Sequence, residues 1–283
     1  MIERVSSEDG NAMTTMTTGT AEVAAEFTVP DLLVEEADTV VTVTFNRPGK
    51  LNSLTPQMYE DLGRVCERVN VDPAVRLLVV RGAGRAFAAG SDIAHFRSFT
   101  DGEDGVEYEN RFVAVLARLE RVRVPTLAVI DGPCVGAGLI VAAACDVRVA
   151  TTRSYFGLPI ARTLGNALSA YPLALLADRL GSARLASMVA RARMLPAAEA
   201  ASIGFVAETA VPDHFDDLVA VVTGDLLAAA PLTVCSTREV LRRIRTTVLP
   251  ESADLVRAAY GSDDFRAGVA AFLRGERAEW SGR

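Results

Sequence analysis

Residues 124–150 read VPTLAVIDGPCVGAGLIVAAACDVRVA and change character twice. Thr126 to Ile130 is a short apolar and β-branched run with the length of a buried strand. Gly132, Pro133, Gly136 and Gly138 then impose a small-residue turn. From Ala137 to Ala144 the chain is apolar with no polar face, the pattern of a short helix buried all round. A strand, a sharp turn and a buried helix make half of a parallel α/β unit. The N-terminus of such a helix presents unpaired N–H donors with partial positive charge, which suit an oxygen that is, or becomes, anionic.

The same order recurs upstream. Leu77 to Val80 is strand-like, Gly82 and Gly84 follow, and Arg85-Ala86-Phe87-Ala88-Ala89-Gly90-Ser91-Asp92-Ile93 turns into a short helix. Earlier still, Val40 to Phe45 is a β-branched run closed by Asn46-Arg47-Pro48-Gly49, and Thr55-Pro56 opens an amphipathic helix with Thr as N-cap. Glu107 to Arg121 is helical by spacing. Strands alternating with helices predict a largely parallel α/β core with right-handed crossovers. After about residue 165 strands nearly vanish. We therefore divide the chain into a disordered, low-complexity tail (1–28), an α/β core (29–210) and a C-terminal helical region (211–283).

Composition narrows the function classes. The 283 residues carry a net charge of −7, which argues against a general nucleic-acid binder. A polyphosphate ligand would need a local cationic patch. Cys66, Cys134, Cys145 and Cys235 form no CxxC and no Cys/His cluster, so neither a metal site nor a disulfide scaffold is expected. The longest apolar stretch, Gly138 to Cys145, is far short of the roughly 20 residues of a membrane span. The N-terminus lacks a basic region followed by an apolar one, and a cytoplasmic location is the expectation.

Two small-residue turns at the carboxyl ends of neighbouring parallel strands can place two N–H donors on one oxygen, an oxyanion hole made of backbone. Helix–strand packing or a dinucleotide loop are the other readings of Gly136-Ala137-Gly138. The full GxGxxG is missing, however, and no GK[ST] follows. No GxSxG elbow surrounds Ser91.

Taken together, these segments resemble the crotonase (enoyl-CoA hydratase/isomerase) superfamily. TVTFNRPGKLNSL (42–54), VRLLVVRGAGRAFAAGSDI (75–93), the stretch at 124–150, YFGLPI (155–160) and SDDFRAGVAAFLRGERAEW (262–280) occur in the family's order. The resemblance implies a crotonase-like spiral of ββα turns with a C-terminal helical oligomerisation region, assembled as a homotrimer or a dimer of trimers. It implies an acyl-CoA or related carrier-bound thioester as substrate, with CoA as part of that substrate and no separate cofactor. It places the oxyanion-hole donors on the N–H groups of Ser91 and Ala137. Ala89, Gly90, Ile93 and Gly136 belong to the same loops, with Asp92 read as a helix cap. Arg85 and Phe87 would lie near the CoA moiety. Lys50, and more distantly Arg274 and Arg277, would be phosphate contacts or solvated charges.

The chain departs from the family's pattern at two positions. Hydratases of the family carry glutamates where this sequence has Ile140 and Ile160. Isoleucine can neither accept a proton nor orient water, and such proton transfer contributes roughly 10²–10⁴-fold. Isomerisation, α-proton exchange, dehydration or C–C cleavage therefore fit better than water addition. The alternatives are a catalytically silent thioester-binding or assembly subunit, and a thioesterase-like hydrolase. Replacement acid–base groups would come from His95, Ser169, or Glu107, Tyr108 and Glu109, the two glutamates also explicable as acids at a helix start. Arg162 would bind a substrate carboxylate or pair with a core acid. Phe265, Val269, Phe272 and Leu273 form an apolar face expected to be covered by a neighbouring subunit.

Overall fold

The computed structural model describes residues 31–282; the tail assigned to residues 1–28 lies outside the described residues. The chain begins with β1 (Leu32–Ala37) and β2 (Val40–Phe45), followed by α1 (Pro56–Val71). Thr55 caps α1, its Oγ1 accepting from the Met58 N–H at 3.2 Å. β3 (Leu77–Gly82) enters the sheet, and α2 (Gly102–Glu120) crosses back to β4 (Thr126–Ile130). β5 (Pro133–Val135) leads into α3 (Ala137–Ala144); β6 (Val147–Thr151) leads through β7 (Tyr155–Gly157) into the short α4 (Ile160–Thr163). Then come α5 (Ala170–Leu180), α6 (Ser182–Arg191), β8 (Leu195–Pro196), α7 (Ala197–Ser202) and β9 (Glu208–Ala210). Four helices close the described chain: α8 (Phe215–Ala228), α9 (Pro231–Thr246), α10 (Ala253–Tyr260) and α11 (Asp263–Arg274).

The large sheet has the order β1-β2-β3-β4-β6-β9 and is parallel except for the β1–β2 hairpin. β5, β7 and β8 form a second, smaller sheet. Bridges between Leu54 and Ser91 and between Ala88 and Cys134 repeat the same pairing one turn earlier. Each turn of chain thus gives one strand to the large sheet and one extended segment to a second layer before its helix, which is a spiral of ββα turns.

Burial on both faces explains the near-continuous apolar strands. In β3, Leu78 and Val80 join the main core with Leu62, Leu116 and Leu139, while Leu77 and Val79 pack with Phe215 and Val222 of α8 on the other face. A third cluster joins Phe96 and Leu164 to Val256, Tyr260, Phe265 and Val269.

Two expectations need correction. α2 starts at Gly102, not Glu107, because Asp101 and Asp104 form a capping box there. Gly102 and Gly105 weaken the helical signal in sequence, yet their bare backbones let α10 approach: a Cβ on Gly105 would collide with the Tyr260 side chain. The second correction concerns the C-terminal apolar face. Phe265 and Val269 are buried inside this chain, leaving only Phe272 and Leu273 substantially exposed.

Candidate active site

The loop ending β3 and the loop preceding α3 are hydrogen-bonded to each other. The N–H groups of Phe87 and Ala88 both donate to the Pro133 carbonyl, at 3.0 and 3.2 Å, and the Val135 N–H donates to the Ala88 carbonyl at 2.9 Å. Gly136 precedes α3 at φ 59°, a left-handed conformation that favours glycine. A Cβ on Gly138 would collide with the Ala88 carbonyl oxygen, so the first turn of α3 lies directly against the other loop.

This zipper leaves two donors over. Leu54 accepts from Asp92 and donates to Gly90, so pairing skips Ser91. Ala137 is the first residue of α3 and has no intrahelical acceptor. Among the described residues, neither the Ser91 N–H nor the Ala137 N–H donates to a backbone carbonyl outside regular helices and strands. Arg47 steadies the loop, its Nη2 lying 2.9 Å from Asp92 Oδ2, while Asp92 Oδ1 caps the following turn by accepting from the Ala94 N–H.

Both loops open onto a cavity of about 510 Å³. Lys50, Ala89, Gly90, Ser91, Asp92, Ile93, Gly136, Ala137, Ile140 and Ile160 all contribute to its wall. Aromatic rings of Phe96, Tyr108, Phe112, Tyr260 and Phe272 supply much of the remainder. Ile140 is buried and Ile160 half-buried, and both are apolar wall.

Besides Asp92, which is paired with Arg47, a second carboxylate reaches the cavity. Glu109 is 1% exposed, and its Oε2 accepts from both the N–H and the Oγ of Ser169, at 2.8 and 2.9 Å. Tyr260 donates its hydroxyl to Oε1 at 3.4 Å. No cation lies within ion-pair distance of Glu109 among the described residues. Burial pushes its carboxyl above the ordinary value, while the Ser169 and Tyr260 hydrogen bonds pull the other way. Glu109 is the eighth residue of α2, well past the first turn, so the dipole explanation for this acid does not apply.

Three hydroxyls meet beside the first donor. Ser91 Oγ lies 2.5 Å from the Tyr108 hydroxyl and 3.0 Å from that of Tyr59. Burial pushes the Tyr59 phenol up to about 12 and Tyr108 well above its usual value, so both are neutral donors near neutrality.

Several proposed site residues lie elsewhere. Phe87 is a core residue, edge-on to Phe45 with centroids 5.6 Å apart, because it sits on the inward side of its loop. Arg85 and Arg162 are exposed and off the cavity wall. Ser169 turns towards Glu109, and its neighbour Leu168 lines the cavity instead. His95 stacks edge-on to Phe99 and faces a second pocket of about 400 Å³ beyond Tyr108 and Phe112. Arg274 pairs with Glu276 at 2.7 Å. Among the described residues no His, Cys, Asp and Glu cluster could hold a metal ion.

The sequence profile described as enoyl-CoA hydratase/isomerase matches residues 35–283. The chain belongs to the enoyl-CoA hydratase/isomerase family. Within this family it is 35% identical over 187 residues to a probable enoyl-CoA hydratase of Mycobacterium leprae, a match spanning 63% of each protein. It is 33% identical over 211 residues to the (E)-benzylidenesuccinyl-CoA hydratase of Thauera aromatica, covering 73% of this chain and 80% of that one. Among solved structures of the family, an enoyl-CoA hydratase from Mycobacterium avium subsp. paratuberculosis superposes with a TM-score of 0.77 at 27% identity, covering 90% of this chain and all of the other. Methylmalonyl-CoA decarboxylase complexed with 2S-carboxypropyl CoA gives a TM-score of 0.81 at 21% identity, covering 90% of this chain and 100% of that one, a likeness of fold.

Proposed function

We propose that this chain is an acyl-CoA enzyme that holds the thioester oxygen on the Ser91 and Ala137 N–H groups and moves a proton on the acyl chain with Glu109. The observation that carries the reading is a buried carboxylate, without a cation, on the wall of a cavity whose positions 140 and 160 are isoleucine. The CoA thioesters named for the relatives support the substrate class.

Two N–H groups on the carbonyl oxygen stabilise the enolate-like charge that forms when an α-proton of a saturated acyl group, or the γ-proton of a 2-enoyl group such as crotonyl, leaves. One carboxylate suffices to take that proton from one carbon and return it to the same carbon or another, since the base of the first half is the acid of the second. Isomerisation and α-proton exchange follow this scheme. Water addition also requires a positioned water, and Ile140 and Ile160 offer it no acceptor.

Incubating crotonyl-CoA with the protein in D₂O, followed by mass spectrometry, tests this. Deuterium in the acyl group without added water is expected, with a loss of about 100-fold or more in Glu109→Gln and unchanged thioester binding. Hydrated product that persists in Glu109→Gln overturns the assignment. Binding without any exchange in the wild type supports a silent thioester-binding subunit, and release of free CoA supports a hydrolase.

The assembly is proposed on similar grounds. Leu232, Val240, Leu241 and Ile244 of α9 are exposed, an apolar face suited to self-association as a homotrimer.

A further inference from the structure

The cavity beside Ser91 and Ala137 and the pocket next to it share a wall one side chain thick. Tyr108 and Phe112, a helical turn apart on α2, line both the 510 Å³ cavity and the 400 Å³ pocket behind it. Other parts of the cavity wall are backed differently. Ile140 and Leu158 belong to the main core, and Phe96, Leu164 and Tyr260 to the third cluster, so close-packed side chains stand behind them. Behind Tyr108 and Phe112 there is open volume.

Both rings are fixed from two sides. The Tyr108 hydroxyl lies 2.5 Å from Ser91 Oγ and 3.4 Å from the Tyr59 hydroxyl, so its ring bridges from α2 to the β3 loop like a bar. It stands perpendicular to Phe96 with centroids 5.0 Å apart, and the Phe112 ring lies 5.1 Å from that of Tyr59. Beyond the bar the pocket is largely apolar, lined by Pro56, Tyr59, Phe99 and Val115, with Glu60 and Arg111 exposed at its edge. A hydrocarbon chain reaching it would gain about fourfold in affinity for each methylene it buried. Tyr108 and Phe112 stand in the way.

Building on the acyl-CoA reading above, we infer that Tyr108 and Phe112 set the length limit of the acyl group. Glu109, the proposed base, lies between them on α2, and all three side chains line the cavity. A chain that brings its reacting carbon to Glu109 therefore runs along this face of the helix, and its later carbons stop against the two rings. The substrates are acyl groups compact enough to end within the first cavity. The pocket behind is volume that a smaller side chain at position 108 or 112 would add to it.

Calorimetric titration with straight-chain saturated acyl-CoAs from butanoyl to dodecanoyl tests this. In the wild type, affinity is expected to rise by up to about fourfold per methylene and then to stop rising at a definite length. In Phe112→Ala that break should move to longer chains. Phe112 also belongs to the main core, so Tyr108→Ala, which opens the other half of the wall, is measured beside it and should shift the break in the same direction. Adding Ala114→Trp, at an exposed position lining the second pocket, should fill that volume and move the break back, a reversal that a merely loosened fold would not give. An unbroken rise through dodecanoyl in the wild type overturns the inference and leaves the acyl-CoA reading intact, as does a break that stays put in both opened variants. If none of the series binds the wild type, that reading falls and takes the inference with it.

Discussion

Glu109 gains its character from what surrounds it rather than from its place in the sequence. Its carboxyl is raised by burial, so between the ordinary carboxylate value and its own the folded protein keeps a proton that the unfolded chain has released. Stability should therefore fall as pH rises through that window and, for this group, stay level on either side. Glu109→Gln should flatten that slope in urea midpoints measured from roughly pH 4 to pH 7. Glutamine can offer its oxygen to Ser169 and its amide to Tyr260, so the fold should survive. As a base, Glu109 should also displace the acid limb of the kcat/KM profile upward. The sequence offered the right helix and three candidate groups on it, but an acid near an apparent helix start has a simpler explanation than catalysis. Ser169 shows a similar limit: one residue separates a side chain that lines the cavity, Leu168, from one that buttresses the carboxylate, and spacing without the fold does not resolve that step. Tyr108→Phe should weaken the hydroxyl cluster at Ser91 and slow turnover several-fold with little change in thioester affinity, readable as a kcat loss at constant KM.

Among the elements, the contact between the β3 loop and α3 is the tightest constraint on the site. Gly138→Ala would drive a methyl group into the Ala88 carbonyl. The expected cost is about 1–3 kcal/mol in urea denaturation, with a further loss of turnover if the Ser91 and Ala137 N–H groups act as the proposed oxyanion donors, because they would move apart. These elements were legible in the sequence because local rules agree there. Thr55-Pro56 is a strong N-terminal signal, and a run from Ala137 to Ala144 without a polar face has to be buried. The start of α2 was not legible, since Gly102 and Gly105 serve a neighbour 155 residues away in the chain and weaken the local pattern (Gly102 meets Arg257, Gly105 meets Tyr260). A second such tie is Arg238 on α9. Its Nη1 lies 2.7 Å from Asp146 Oδ2 and it also donates to the Val122 and Val124 carbonyls. Arg238→Ala would leave Asp146 without its cation, and a destabilisation of about 3–5 kcal/mol is expected in equilibrium unfolding.

The whole molecule is a sheet buried on both faces with a helical end folded back over its own cavity. The exposed face of α9 predicts that Ile244→Glu lowers the mass measured by light scattering without unfolding the subunit, whereas a wild-type monomer would contradict self-association. Tyr260, Phe272 and Leu273, all from the last two helices, complete the cavity wall. Their attachment relies on close backbone approach to α2 and on a small aromatic cluster, not on the central core. Such peripheral units open more readily than the strands beneath them. Any acyl group that fills the cavity touches both sides of that seam, so occupancy and closure are thermodynamically linked. The ligand then acts as mortar: amide exchange in α10 and α11 should slow on binding while exchange in β3 and β4 stays unchanged, and an empty protein should be nicked by protease first near Pro250, in the connection ahead of the hinged roof.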